Sequence, residues 1–261
     1  MGKRIRLSNG RRLVDDVIRI ARKTPLAALS GDFDVELIGR LRRRTRPRIS
    51  WNVIYMKAYA QVCRACPELR RAYVTFPYGH LYEHPEPVCM ITVGREHEGE
   101  ERLFFARFSK PDHFSLAELQ AQLDHFRKAP VEEIKQFRHQ IRFAQTPAWI
   151  RRFAWWATFN LWPEKRATQM GTFGMSFSGH NGAYGSQHLG PNTTTLGIDP
   201  LPRRGTSRLM LTFDHRVMDG VPATRVLKQL HRMLQTAIKE ELAVMVGADP
   251  ETGAFPDSRA A

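Results

Sequence analysis

Two hydrophobic periodicities alternate along this chain of 261 residues, and that alternation limits its fold more than any other feature. Leu13, Val14, Val17, Ile18 and Ala21 recur at helical spacing, opened by Ser8 or Asn9 as an N-cap and closed by Thr24 and Pro25. Residues 28–34 read as a strand or connector, 35–44 as a second helix and 51–66 as a third. Short runs of β-branched and aromatic residues follow at 73–76, 88–94 and 103–109. Ser115 and Glu118 stand at capping-box spacing, which predicts a helix over 115–127. Further on, strands at 173–178 and 193–198 flank a Gly-rich loop at 179–190, and an apolar strand at 208–214 turns into a long helix at 222–246. This order predicts an α/β (α+β two-layer sandwich) architecture, a mixed β-sheet flanked by helices with the 208–214 strand near its centre. Residues 1–246 read as one domain and 247–261, polar and carrying Pro250 and Pro256, as a disordered tail.

No stretch approaches the ~20 apolar residues of a membrane-spanning helix. The first residues lack the apolar run of a signal peptide, and three Cys cannot build a disulfide framework, so a reducing, cytoplasmic setting is expected. The net charge of +14 is uneven: the first 50 residues hold 14 basic and 5 acidic side chains. Arg40, Arg42, Arg43, Arg44, Arg46 and Arg48 form the densest run, which suits an anionic partner or a simple solvated surface. No zinc finger, helix-turn-helix or interleaved aromatics accompany it, so no nucleic-acid partner is expected. Cys63 and Cys66 have C-x-x-C spacing inside a predicted helix without a second pair, and His80 and His84 lack an H-E-x-x-H, so no metal is expected.

Chemistry concentrates at Phe213-Asp214-His215-Arg216-Val217-Met218-Asp219-Gly220, where a strand runs out into a turn, a place where folds display reacting groups. A histidine there is either a base or a structural residue. Residues 211–223 as a whole closely resemble the carboxy-terminal signature of the E2 acyltransferases of 2-oxoacid dehydrogenase complexes, in the chloramphenicol acetyltransferase-like superfamily. Gly171-Thr172-Phe173-Gly174-Met175-Ser176, then Gly179 and Gly182, then Thr195-Leu196-Gly197-Ile198, resemble the family's G-T-F-x-x-S strand, Gly-rich loop and L-G-I strand. Leu7 to Arg12 resemble its first-helix entry, and residues 50–69 and 108–123 two further helices.

The resemblance implies a homotrimer with active sites between subunits, moving an acyl group between coenzyme A and a thiol or hydroxyl acceptor. His215 would be the general base, an assistance commonly worth ~10²- to 10⁴-fold. Ser176 would donate to the oxyanion of the tetrahedral intermediate, on the order of 3 kcal/mol. Asp219 would hold the loop, paired with Arg11 as a buried ion pair. Gly220 would support the site where a side chain clashes or positive φ is needed. On the residues alone, Ser176 stays open as an ordinary strand serine, and Arg11 or Arg12 as helix-surface charge. The positions that bind coenzyme A are not identified.

Complete E2 chains carry a lipoyl domain, which does not fit ahead of Arg11. The expectation is no lipoyl group of its own, with a small-molecule or carrier-borne acceptor or a lipoyl or acyl carrier in trans. The second departure is an aromatic-rich insertion at about 129–168, where the family has a shorter connection. Trp149, Trp155, Trp156 and Trp162 fall here, with Phe143, Phe153 and Phe159. Trp149, Phe153 and Trp156 share one side of a helical wheel, and Trp155, Phe159 and Trp162 another. The segment is expected to pack on the domain, walling an apolar acyl channel; peripheral membrane contact through 143–166 is the other reading. A catalytically silent scaffold or partner-binding protein of the same fold is the alternative function.

Overall fold

The computed structural model describes residues 2–177, 190–198 and 205–254. Ser8 accepts a hydrogen bond from the Arg11 N–H and starts α1 (Asn9–Ala21). β1 (Leu26–Asp34) leads into α2 (Glu36–Arg44) and α3 (Trp51–Ala65). α3 buries Val53 through Ala60 almost without interruption, which marks it as the central helix. β2 (Arg71–Val74) and β3 (His80–Glu83) form a separate two-stranded hairpin. β4 (Val88–His97) and β5 (Glu100–Ser109) are joined at Glu98 and Gly99, both at positive φ, the geometry of a tight two-residue hairpin turn. Both capping-box bonds between Ser115 and Glu118 form at the head of α4 (Leu116–Lys128). The insertion folds into α5 (Lys135–Gln145), α6 (Ala148–Asn160) and α7 (Pro163–Met170). β6 (Phe173–Phe177), β7 (Thr194–Ile198) and β8 (Thr206–Asp214) complete the sheet. α8 (Gly220–Met233) runs through a wider π-type turn at Leu234–Ile238 into α9 (Lys239–Val246).

The six-stranded sheet has the order β1-β8-β7-β6-β4-β5, parallel where β6 meets β4 and β7 and antiparallel elsewhere. The 208–214 strand is therefore not central, as the apolar run suggested. β1 pairs outside it over nine residue pairs, from Leu26 opposite Asp214 to Asp34 opposite Thr206, leaving β8 next to the edge. Alternation along β4 separates two layers. Cys89, Ile91 and Val93 enter the main core with α2, α3, α4, α8 and α9, while Met90 packs with Val17 and Met170 on the opposite face. Trp155 and Phe159 of α6 and Phe105 close that smaller cluster.

Two contacts seat the insertion. Gln136 and Gln140, one helical turn apart on α5, each bond both backbone groups of an outer β5 residue. Gln140 Oε1 accepts the Phe105 N–H at 2.9 Å and its Nε2 donates to Phe105 O at 2.7 Å. Gln136 does the same at Arg107, at 2.9 and 3.1 Å. The open edge of the sheet is thus capped by side-chain amides. Past Gly247, Asp249 accepts from Glu251, Thr252 and the Thr252 hydroxyl, closing a turn that ends at Ala254; the rest of the tail expected to be disordered lies outside the described residues.

Candidate active site

β8 delivers the histidine. The β1 ladder continues one step past Asp214, where the His215 N–H donates to Pro25 O at 2.9 Å. Asp214 is fully buried and clamps the turn: its carboxylate accepts from the Arg216 N–H at 3.0 Å, Nε at 2.9 Å and Nη2 at 2.7 Å. The Arg216 guanidinium lies 4.4 Å over the Tyr73 ring. With the turn fixed at both ends, the His215 ring sits half-exposed, and its Nδ1 lies 3.2 Å from Asp219 Oδ1. A carboxylate only accepts, so a proton on Nδ1 is the arrangement that suits this contact, with the Nε2 lone pair then turned away from Asp219. Both partners are wet, so the pair orients the ring without adding much stability.

Asp219 does not meet Arg11. Arg11 is exposed on α1 and lines a depression of about 510 Å³ with Glu96, Glu100 and Arg102, so the expected buried pair is replaced by the His215–Asp219 contact. Gly220 is also corrected. A Cβ there would meet nothing within 4 Å and its φ is not positive, so it is simply the first residue of α8. Gly171, in the other motif, is the glycine with a steric reason: its φ is +78° and a Cβ would lie 2.8 Å from Val88 O. The adjacent Thr172 hydroxyl accepts the Val88 N–H at 3.0 Å, pinning the motif to β4.

Ser176 is half-buried on β6, opposite Gly197. Phe173, Thr194 and Phe213 stand level across β6, β7 and β8. Ser176 lies three residues from that line in one direction and His215 two in the other. At ~3.3 Å per residue and ~4.8 Å per strand, the two side chains are roughly 17 Å apart along the strands and about 10 Å across them. Within one chain they cannot share a reacting atom. The matched glycines Gly179 and Gly182 and most of the loop at 179–190 lie outside the described residues.

A cleft of about 670 Å³ opens beside the His215 turn, between the end of α1, β2 and α6. Thr24, one residue before the carbonyl that holds His215, and Arg216, one residue after it, both line it. Its walls are not the apolar channel expected of the insertion. Trp155, Trp156, Phe159 and Tyr73 alternate with Arg19, Arg22, Lys23, Arg152 and Arg166. Arg166 is buried, donates to Tyr73 O at 3.1 Å and to Pro191 O at 2.7 Å, and is lowered by burial to about 10. Neither Arg166 nor Asn192, whose amide bonds Met170 O and Gly171 O at 2.6 and 3.0 Å, carries a local sequence signal, because their partners are distant backbone carbonyls. The other side of α6 is bare: Trp149 and Phe153 are 72% and 61% exposed.

Cys63 and Cys89 are buried and burial pushes both thiols up, away from thiolate chemistry; Cys66 Sγ faces Gln229 Oε1 at 2.8 Å. Among the described residues no set of three His, Cys, Asp or Glu side chains is gathered as metal ligands, and no helix is long and apolar enough to cross a membrane.

No protein-family model and no curated protein matches the sequence. Solved structures do match its fold. A dihydrolipoamide acetyltransferase from Azotobacter vinelandii, described for the roles of a serine, a histidine and an asparagine in its catalytic mechanism, superposes with a TM-score of 0.65 at 17% identity, over 91% of this chain and 94% of that one. The truncated catalytic core of the 2-oxoacid dehydrogenase multienzyme complex from Thermoplasma acidophilum gives 0.60 at 18% identity, over 90% and 99%. Chloramphenicol acetyltransferase gives 0.50 at 14% identity, over 90% and 100%. The chain has the fold shared by E2 catalytic domains and chloramphenicol acetyltransferase, a mixed sheet flanked by helices.

Proposed function

We propose that this chain is an acyltransferase that moves an acyl group between a coenzyme A thioester and a thiol or hydroxyl acceptor, with His215 as general base. The observation that supports this reading is the placement of the His215 ring, half-exposed at the end of a buried strand with its Nδ1 3.2 Å from Asp219 Oδ1. The fold and the E2-like motifs supply the reaction class. In the Azotobacter enzyme the histidine and asparagine are four residues apart, the spacing of His215 and Asp219 here.

Nε2 takes the proton of the acceptor as the acceptor oxygen or sulfur attacks the thioester carbonyl. The tetrahedral intermediate collapses, the C–S bond breaks, and the coenzyme A sulfur leaves with the proton from the imidazolium. The serine donor for the oxyanion comes in this reading from another copy, Ser176 of one subunit serving His215 of the next in a homotrimer, which the register separation within one chain supports. Asp219 keeps the tautomer and the Asp214–Arg216 clamp keeps the turn.

The test is thiol release with a panel of acyl-CoA thioesters and acceptors, comparing wild type with His215→Ala. The expected loss is ~10²- to 10⁴-fold; unchanged turnover in the variant sinks the assignment. Light scattering on the same protein should give three copies, and a fully active monomer would remove the shared site.

A further inference from the structure

We propose that the cleft between α1 and α6 is the acceptor site and that its ligand is a small aromatic acid, a planar ring bearing a carboxylate together with the nucleophilic hydroxyl or thiol. The word acceptor rests on the acyltransferase reading; the anion site itself does not.

Size comes first. A cleft of about 670 Å³ falls within the ~300–1,000 Å³ typical of small-molecule sites, and is suited to a compact ligand. Charge comes second. Of the lining cations, Arg19 is paired with Asp15 and Arg216 with Asp214, while Arg166 is held by backbone carbonyls. Arg22, Lys23 and Arg152 have no carboxylate partner among the described residues. The acid that lines the cleft, Asp16, is already bonded to Arg151 at 2.7 Å. The cleft therefore holds unneutralised positive charge next to rings, a combination that binds an anion on a flat apolar body.

Arg22 and Lys23 also lie where cations offset the carbonyl end of α1, so by themselves they need no ligand. Arg152 has no such role. It projects from the second turn of α6, on the helix that places Trp155 and Trp156 in the same wall. The indole Nε1 of Trp155 is shielded from solvent and has no hydrogen-bond partner, a donor left to be satisfied. Location comes third. Thr24 and Arg216, which line the cleft, are chain neighbours of Pro25 and His215, so the cleft adjoins the His215 turn, although the imidazole itself is not part of its wall. With an acyl-CoA as the donor, the ligand's hydroxyl or thiol gives its proton to Nε2 and forms the new bond to the acyl carbon, and the coenzyme A thiol departs.

The test is calorimetric titration of the full chain with 2-naphthoate, 2-naphthamide and adenosine 3′,5′-bisphosphate. The acid should bind at least about tenfold more tightly than the neutral amide, the factor expected for one charge-assisted contact. Arg152→Ala should weaken the acid about tenfold, whereas Arg127→Ala, an exposed charge on α4, should not. Equal binding of acid and amide, or no effect of Arg152→Ala, overturns the proposal. Tighter binding of the bisphosphate in competition with naphthoate also overturns it, because the cleft would then hold the nucleotide end of coenzyme A. Calorimetry needs no turnover, so naphthoate binding by a protein inactive on every thioester overturns the acyltransferase reading and leaves the anion site standing.

Discussion

Arg151 Nε donates to Asp16 Oδ2 at 2.7 Å, and the two side chains, 135 residues apart in sequence, are almost completely buried. Arg151 also donates through Nη1 to Thr146 O at 2.6 Å. This buried charge among aromatic residues is thus the tether of α6 to α1, and so the reason the cleft has a wall. Removing one partner strands the other's charge in a buried site. Arg151→Ala should cost about 3–5 kcal/mol, read from urea unfolding. A loss below ~1 kcal/mol would show that the pair is not buried in solution.

The amide cap on β5 predicts aggregation. Gln136→Ala with Gln140→Ala exposes the N–H and C=O groups of Phe105 and Arg107 on the sheet edge. Destabilisation of roughly 1–3 kcal/mol and concentration-dependent light scattering are expected. A double variant that stays as soluble and stable as wild type contradicts the capping role.

Asp214→Asn tests the clamp. The asparagine keeps the size but loses the charge that holds Arg216 against the turn. Thiol release should fall about 10- to 100-fold, chiefly in kcat, with the fold retained by circular dichroism. Full activity would show that the turn orients His215 without Arg216.

His84 makes stability depend on pH. Burial, helped by Arg166 and Arg70, holds its pKa down to about 4 from 6.5. The folded state therefore binds this proton less readily than the unfolded chain. The contribution is complete above pH 6.5 and is lost as pH falls towards 4, on the order of 3 kcal/mol. His84→Gln should flatten the stability curve across that window; a curve of unchanged slope would assign the acid sensitivity elsewhere.

Gly171→Ala should be costly although the substitution is small. The positive φ and the 2.8 Å approach to Val88 O both resist a methyl group. A loss of about 1–3 kcal/mol is expected by thermal unfolding, against almost none for Gly220→Ala, where a Cβ has open space.

Local features were legible because they depend on neighbours in sequence. The Ser8 cap, the Ser115–Glu118 box, the apolar stripes and strands, and the strand-to-turn display of His215 all follow from spacing alone. Long-range choices were not. Whether Asp219 meets Arg11 or His215, whether Arg151 faces water or Asp16, and which side of α6 stays bare depend on where distant elements dock. The position of β8 is hidden from the sequence for the same reason: an apolar strand looks central, and only the pairing of β1 outside it shows otherwise. The distance between Ser176 and His215 is likewise a property of register across three strands, so the sequence could nominate both residues while only the folded sheet decides that one chain keeps them apart.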